Sequence, residues 1–409
     1  MNDDEYGTAL LRPLAGEPTS PPRIDVVKAM RDGRRMRRRR WWRGGSALTV
    51  AIAAALTGGL LMANQDTPRP QPDLPPDPIL PASCTAAELP AGPHKSAEVS
   101  GGDGSGAWLV GVSDAHDPTP SVPHSVLVWH DGELVADVRP PGLRKGSIGV
   151  RMNDINSSGV AVGSNLEGNS EPWVFADGKV RKLAGGAGEA VAINDAGVIA
   201  GQSGGDAKRR PVRWASPTAQ PVPLPLPPEV SPLETRITDI APDGTIAAEV
   251  GWRTYLWRPD GTGGFLPLPT VGGKKANGFM PMAFAFGWLY GTVTTPITGP
   301  SAPPPGVGGG DTHLYRVEPN TGTWQKLPGD PQQVQVAGTS FGQFMTPKPE
   351  VFAGREVLNL PAYGAPVMSG TGNTVVENVS DDARFAAGTV WSGNADPSKP
   401  AVPVIWRCR

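Results

Sequence analysis

A chain of 409 residues with 53 Gly and 47 Pro, about a quarter of its positions, excludes a mainly helical architecture, because Pro removes a backbone donor and Gly costs backbone entropy in a helix. The net charge of −2 hides an uneven split: residues 1–45 carry 11 Lys+Arg and 6 Asp+Glu, leaving 26 basic and 33 acidic residues for the remainder. A basic tail ahead of an acidic body argues against a nucleic-acid-binding protein and fits a membrane protein whose basic end stays inside.

In chain order, the first predicted element is a helix starting after Pro22, with Asp25 favourably placed near its N-terminus. Ile24, Val27 and Met30 share one face, which Lys28, Arg31 and Arg34 interrupt, so the tail at 1–45 presents only a small apolar surface. Ser46–Ala63 is uncharged over 18 residues and is predicted to cross a membrane as a single helix, at the short end of the ~17–25 residues that a span requires. Arg34, Arg35, Arg37, Arg38, Arg39, Arg40 and Arg43 crowd its N-terminal side, against Arg69 alone on the other. Lys and Arg are retained inside, so the N-terminus is expected in the cytoplasm, with the arginine run at anionic lipid and the C-terminal body outside the cytoplasm. Trp41 and Trp42 fall where an interfacial aromatic belt sits. The alternative is a cleaved leader, for which Leu61-Met62-Ala63 offers a cleavage site and Arg39-Arg40-Trp41-Trp42 resembles a twin-arginine signal. Residues 64–83, with Pro at 68, 70, 72, 75, 76, 78 and 81, read as a Pro-rich linker, extended at ~3.1 Å per residue.

Residues 84–409 read as one all-β domain. Ile155–Gly163, Ile193–Gly201 and Ile240–Ala248 repeat a strand end, a tight Asn/Asp/Gly turn and a second strand, and Val379–Gly388 is a degenerate copy. Between these copies falls a second pattern: a strand ending in an aromatic, a polar turn, then a strand ending near Leu or Leu-Pro. Pro172–Leu183 and Glu350–Pro361 align on it without gaps, and the key aromatics are Trp129, Phe175, Trp214, Trp257, Tyr315 and Phe352. Four short strands every ~40–50 residues is the period of a propeller blade. The expected strand roles are a (Val-x-Gly), b (ending in the aromatic), c (ending in Leu) and d (leading into the turn), with the next a opening a new blade. Seven blades are expected, six or eight being the alternatives. The last would be completed by both chain ends, with a and b from Phe385–Val390 and Pro403–Trp406, and c and d from Cys84–Pro90 and Lys95–Gly111.

The chain has two cysteines, Cys84 at the start of the c strand and Cys408 just past the b-strand aromatic of that blade. Neighbouring strands are ~4.8 Å apart, within disulfide reach, and an extracytoplasmic compartment permits the bond. The pair is expected to be a disulfide that closes the ring; two free thiols are the alternative.

The Ile-Asn-Asp-x-Gly-x-x-x-Gly element at 193–201, with 153–163, resembles the repeat of the HAF family of bacterial extracellular repeat proteins. That resemblance implies an exported β-repeat domain without a defined catalytic activity. Leu11–Pro18 and Arg23–Arg35, followed by the basic run and apolar span, resemble actinobacterial single-pass membrane proteins of the anti-sigma type, which implies a cytoplasmic regulator as a partner of the tail.

No catalytic, cofactor or metal site is expected. His94, His116, His124, His130 and His313 do not pair at helical spacing, and neither a Gly-x-Ser-x-Gly elbow nor a phosphate loop occurs. Asp154-Ile-Asn156-Ser-Ser158-Gly159 has the start of a calcium loop, but Asn165 stands at the twelfth position, where an acid is required. The reading is therefore a non-enzymatic, membrane-tethered propeller that binds an extracellular protein or glycan. The alternative is a transmembrane signalling protein whose tail holds a regulator such as a sigma factor. A hydrolase or lyase would be indicated by carboxylates and His gathering at one mouth of the ring.

Overall fold

The computed structural model describes residues 74–114, 124–143, 148–165, 170–205, 208–296, 310–329, 336, 349–363, 373–391 and 400–409. The expected tail helix, the span at 46–63 and the first half of the linker lie outside the described residues. Among those described, no helix is long and apolar enough to cross a membrane.

The described chain from Leu74 onward is a β-propeller. Five antiparallel sheets of four strands follow in order. The first is β2 (Ala97–Gly102), β3 (Trp108–Ser113), β4 (Val126–His130) and β5 (Glu133–Val138), and the second is β6 (Val150–Ile155), β7 (Ala161–Asn165), β8 (Pro172–Ala176) and β9 (Lys179–Lys182). The third is β10 (Gly188–Ile193), β11 (Ile199–Ser203), β12 (Arg210–Trp214) and β13 (Pro221–Pro223), and the fourth is β14 (Thr235–Ile240), β15 (Ile246–Val250), β16 (Arg253–Trp257) and β17 (Gly263–Phe265). A small hairpin, β18 (Thr270–Val271) and β19 (Lys274–Lys275), precedes the fifth: β20 (Gly278–Ala285), β21 (Trp288–Pro296), β22 (Gly310–Glu318) and β23 (Thr323–Lys326). After the hairpin β24 (Glu350–Ala353) and β25 (Glu356–Asn359) comes the closing sheet, β26 (Asn373–Val379), β27 (Phe385–Trp391), β28 (Ala401–Cys408) and then β1 (Cys84–Glu88) from the other end of the domain.

Two expectations are corrected. The strand leading into the turn does not end a blade but begins one: β6 pairs with β7 across Asn156-Ser-Ser-Gly159, and β10 with β11 across Asn194-Asp-Ala-Gly197. A tight turn forces the strands it joins to pair, so the blade boundary falls between c and d. Ala97–Gly102 accordingly opens the first complete sheet rather than finishing the closing one. Secondly, the described residues form six four-stranded blades and two two-stranded hairpins, not seven full blades.

The Trp and Leu-Pro pattern has a physical cause. Trp129, Trp214, Trp257 and Trp406 are buried, each on the third strand of its blade. Their indole N–H groups donate to the carbonyls of Pro90 (2.8 Å), Ala184 (2.9 Å), Pro225 (2.6 Å) and Pro361 (2.8 Å), each just past the last strand of the preceding blade unit. The residue before each acceptor is a buried Leu (Leu89, Leu183, Leu224, Leu360) whose own N–H returns to the third strand region of its blade. Leucine thus seals the apolar layer, and the following residue, a proline in three of the four cases, offers its carbonyl across the seam. Trp406 docking on Pro361 places the β24–β25 hairpin in the outer-strand role of a blade unit.

The Val-x-Gly glycines also have a cause. A Cβ on Gly163 would lie 2.0 Å from the Arg151 carbonyl oxygen, and one on Gly201 would lie 2.1 Å from that of Glu189. The second strand therefore approaches the innermost strand too closely for a side chain.

The end of the stretch read as a linker is packed onto the domain. Leu74 and Leu80 pack against two different core clusters, and the Trp288 indole donates to the Pro75 carbonyl at 3.4 Å. Asp77 is ion-paired to the buried Arg316 and to Arg355 (2.8 Å). The Arg316 guanidinium also bonds Gln325 Oε1 through Nε (2.9 Å) and Nη2 (2.7 Å), and lies 4.2 Å from the centre of the Trp288 ring. Residues 74–83 form a strap from the fifth blade past the hairpin to the closing blade.

The closing blade carries the expected clasp. β1 pairs with β28 in the register Cys84↔Cys408 to Glu88↔Val404, and Cys84 and Cys408 form a disulfide with Cα atoms 4.0 Å apart.

Candidate functional site

The innermost strands line the central channel, and every described one carries a β-bulge at the same level. The unpaired residue is Ser100, Asn153, Val191, Thr238, Met282 or Glu377. A bulge re-aims side chains and raises twist. Here it sends polar groups to the neighbouring blade: the Ser100 hydroxyl donates to the Met152 carbonyl and the Asn153 amide to that of Ala190 at 2.9 Å.

Two residues before the bulge, four consecutive inner strands carry Glu98, Arg151, Glu189 and Arg236, an alternation of charge around the ring. Glu377 Oε1 lies 3.6 Å from Arg151 Nη2. Burial pushes the Glu377 carboxyl up to about 7, with Arg151 opposing the rise and Glu98 adding to it.

One residue after the bulge stand Asp154 and Asp239. Asp154 accepts its own strand's Ile155 N–H (2.8 Å) and the next blade's Ile193 N–H (2.7 Å); Asp239 does the same with Ile240 and Phe284, both at 2.7 Å. Both residues are half-buried. Burial pushes Asp154 up to about 8, helped by Asp239 and Asp103, while the Ile193 and Ile155 N–H groups pull it down. Burial pushes Asp239 up to about 6 against its two N–H donors. Burial, then Asp103, Asp195 and Asp382, raise Asp381 at the same end. One mouth of the ring is therefore acidic, and burial there raises the carboxyls of Asp154, Asp239 and Asp381 above the ordinary range.

The turns at this mouth are joined by their asparagines. Asn156 Oδ1 accepts from Ser158 and Val160, both at 3.1 Å, and its amide donates to the Asn194 carbonyl (3.1 Å). Asn194 caps its own turn through Val198 (3.0 Å) and donates to Ala241 (3.5 Å). Asn378 donates to the Asp103 carbonyl across the closing seam (3.1 Å). Both oxygens of Asp154 and of Asp239 are occupied by backbone donors, as are the turn amides. That arrangement fastens blade to blade and leaves these groups poorly placed to move a substrate proton. It also accounts for Asp154 and Asn156, the start of the calcium-like string, as seam and turn residues.

Of the described histidines, His130 lies at the turn end of the ring, 3.8 Å from Asp131 Oδ2. The ring nitrogens of His94 lie 3.1 Å from Asp114 Oδ2 and 2.9 Å from Asp137 Oδ2. His130 stacks on Trp108 at 4.2 Å, His124 is buried, His313 lies on β22, and His116 is outside the described residues. Among the described residues no group of three or more His, Cys, Asp or Glu could hold a metal ion. The residues that sequence reasoning missed are Arg151, Asp239 and Glu377, while Asp154 was considered only as the start of a calcium-like string. One signal was available: Asp-Ile stands at the same distance ahead of the turn glycine in two copies, Asp154 to Gly159 and Asp239 to Gly244.

The fold and this channel define the chain as a β-propeller. No family model matches it, and no curated protein matches it. Among solved structures it is similar to a TolB-like protein from Agrobacterium tumefaciens, at 14% identity and a TM-score of 0.38, over 69% of this chain and 100% of that one. A gluconolactonase from Xanthomonas campestris matches at 14% identity and a TM-score of 0.29, over 45% of this chain and 65% of that one. The tricorn protease matches at 13% identity and a TM-score of 0.27, over 76% of this chain, which spans about a third (34%) of that protein. At these identities the likeness concerns the fold alone.

Proposed function

We propose that the chain is a membrane-tethered, extracytoplasmic binding propeller of the HAF-repeat kind, serving recognition of an envelope protein or glycan rather than catalysis. The observation that carries this reading is the disulfide between the first and last strands of the ring, since such bonds persist in oxidising compartments. The uncharged stretch at 46–63 and the arginines before it supply the tether and its orientation. A reporter active only outside the cytoplasm should work when fused after Ser83 and fail after Gly16; the reverse pattern overturns the orientation. The full-length chain probed on glycan and protein arrays should retain an envelope component, and retention of none counts against binding as the function.

The tail motifs at Leu11–Pro18 and Arg23–Arg35 favour a second reading, in which the cytoplasmic end holds a regulator such as a sigma factor. A pull-down with the full-length chain and with a chain lacking residues 1–44 should differ by that regulator. Identical recoveries, with transcription unchanged by the deletion, would sink it.

A further inference from the structure

At the end of the ring opposite the Asn-Asp-x-Gly turns, the fourth blade presents Trp252 on the tight turn between β15 and β16. Its side chain is 64% exposed, in contrast to the buried seam tryptophans. The neighbouring blade fixes its position. The Trp252 carbonyl accepts the Phe279 N–H at 2.9 Å, and a Cβ on Gly278 would lie 2.4 Å from that oxygen and 2.9 Å from Trp252 Cβ. Trp is an amphipathic ring enriched at binding interfaces, and here it stands on a turn clamped by the next blade rather than on a free loop.

The groups around it are cationic. Arg253 follows it in sequence, with its guanidinium 4.0 Å from the centre of the Phe265 ring. Lys274 and Lys275, both exposed, close the β18–β19 hairpin three residues before Gly278. Acids of the same blade are Glu249, which stands opposite Arg236 in the sheet register, Glu234, and Glu229, whose charge acts on Tyr255. This positive arc sits on a body that is otherwise acidic.

We propose that Trp252, Arg253, Lys274 and Lys275 form a platform for an acidic polysaccharide, the indole stacking on a sugar ring and the cations meeting its carboxylates. The proposal rests on the reading of the propeller as an envelope-binding module and names its ligand class. A membrane surface fits less well: a single exposed ring offers little apolar area to bury in a bilayer, whose affinity scales with that area. One indole matches one sugar ring, and charge complementarity supplies the rest.

The test uses the full-length chain in neutral detergent, with polygalacturonate oligomers as the probe, dextran as the neutral control and phosphatidylglycerol nanodiscs as the membrane control. Polygalacturonate should bind, more weakly as salt rises, and dextran should not. Trp252→Ala should weaken binding by about tenfold or more, as expected for a stacking anchor, and Trp252→Tyr should restore most of it. Lys274→Ala with Lys275→Ala should weaken binding and flatten its salt dependence. No binding of polygalacturonate, binding unchanged in Trp252→Ala, equal binding of dextran, or preference for the lipid each overturns the platform. Binding of a different envelope component without dependence on Trp252 removes this platform and leaves the broader reading standing. Binding of no envelope component removes both.

Discussion

Trp129 shows how one side chain serves two layers of the fold. Its ring fills a core shared with Leu89, Leu109 and Ile405, and its N–H crosses the seam to Pro90. Trp129→Phe keeps most of the volume and removes the seam bond, so a loss of about 1 kcal/mol is expected, Pro90 being exposed enough for water to replace part of the bond. Trp129→Ala adds a cavity and should cost about 3–5 kcal/mol. Denaturant melts of the two variants separate the terms; equal losses would mean that the bond contributes nothing. Glu377 makes a pH-dependent contribution in the channel. Its folded pKa lies above the ordinary carboxylate value, so the stability it contributes is complete below about pH 4.5 and is lost as pH rises through about 7. The groups facing it are Arg151 and Glu98, and Asp154 and Asp239 act in the same direction. The wild-type chain should therefore lose stability between about pH 5 and pH 8, by about 1.4 kcal/mol per pH unit at most for each such group. Glu377→Gln should show a shallower decline over that window; an unaltered slope would remove Glu377 as a contributor.

The strap at residues 74–83 poses the corresponding question for an element. Burial raises the Asp77 pKa, but the bonds and charges of Arg316 and Arg355 outweigh it and hold the carboxyl below its ordinary value. The stability from this contact is present above the ordinary carboxylate pKa and is lost as pH falls through the lowered one. Asp77→Ala leaves Arg316, almost fully buried, without its anion. Removing one partner of a buried pair costs about 3–5 kcal/mol, and about 2–3 is expected here because Asp77 is a quarter exposed. A thermal melt checks this, and an unchanged midpoint would mean that the strap lies on the ring without stabilising it. The strap was illegible in the sequence for a physical reason. A Pro-rich run reads the same whether free or docked, and its partners at 316 and 355 lie far along the chain. The individual strands were legible because buried aromatics and Asn/Asp/Gly turns are local signals. The blade boundary was misplaced because a string of four repeating roles carries no mark of where one unit ends. Only the pairing forced by the tight turn supplies that mark. Asp239 escaped notice, and Asp154 was read only as part of a turn, because their burial is a property of the assembled ring, while Cys84 and Cys408 were found because only two cysteines exist and both fall on a pair of strands left incomplete by the repeat.

For the whole molecule the question is what keeps the ring shut. Closure between β1 and β28 is first a backbone ladder: five paired residues, with Leu89 N–H donating to the Pro403 carbonyl beyond one end and Ala82 and Ser83 N–H to the Arg409 carbonyl beyond the other. The disulfide stands at the end of that ladder and ties residues 324 apart. The chain-entropy account assigns so long a loop about 5–6 kcal/mol, an upper value because unfolded chains retain structure. The ladder and the Trp406 seam do not depend on the sulfurs, so reduction, or Cys84→Ser with Cys408→Ser, should lower the melting temperature and leave the folded ring intact. Removal of the strand itself is the harsher test. A chain lacking residues 74–88 keeps β26, β27 and β28 but exposes the β28 backbone as a free edge, and free edges pair with other chains. That variant should associate or aggregate at concentrations where the double serine variant stays monodisperse, as size-exclusion chromatography with light scattering would read. If the deletion is as monodisperse and stable as the serine variant, closure by the N-terminal strand is dispensable. The clasp would then be a redox-set ornament on a sheet that is complete without it. If the serine variant itself fails to fold, the sulfurs rather than the ladder hold the ring.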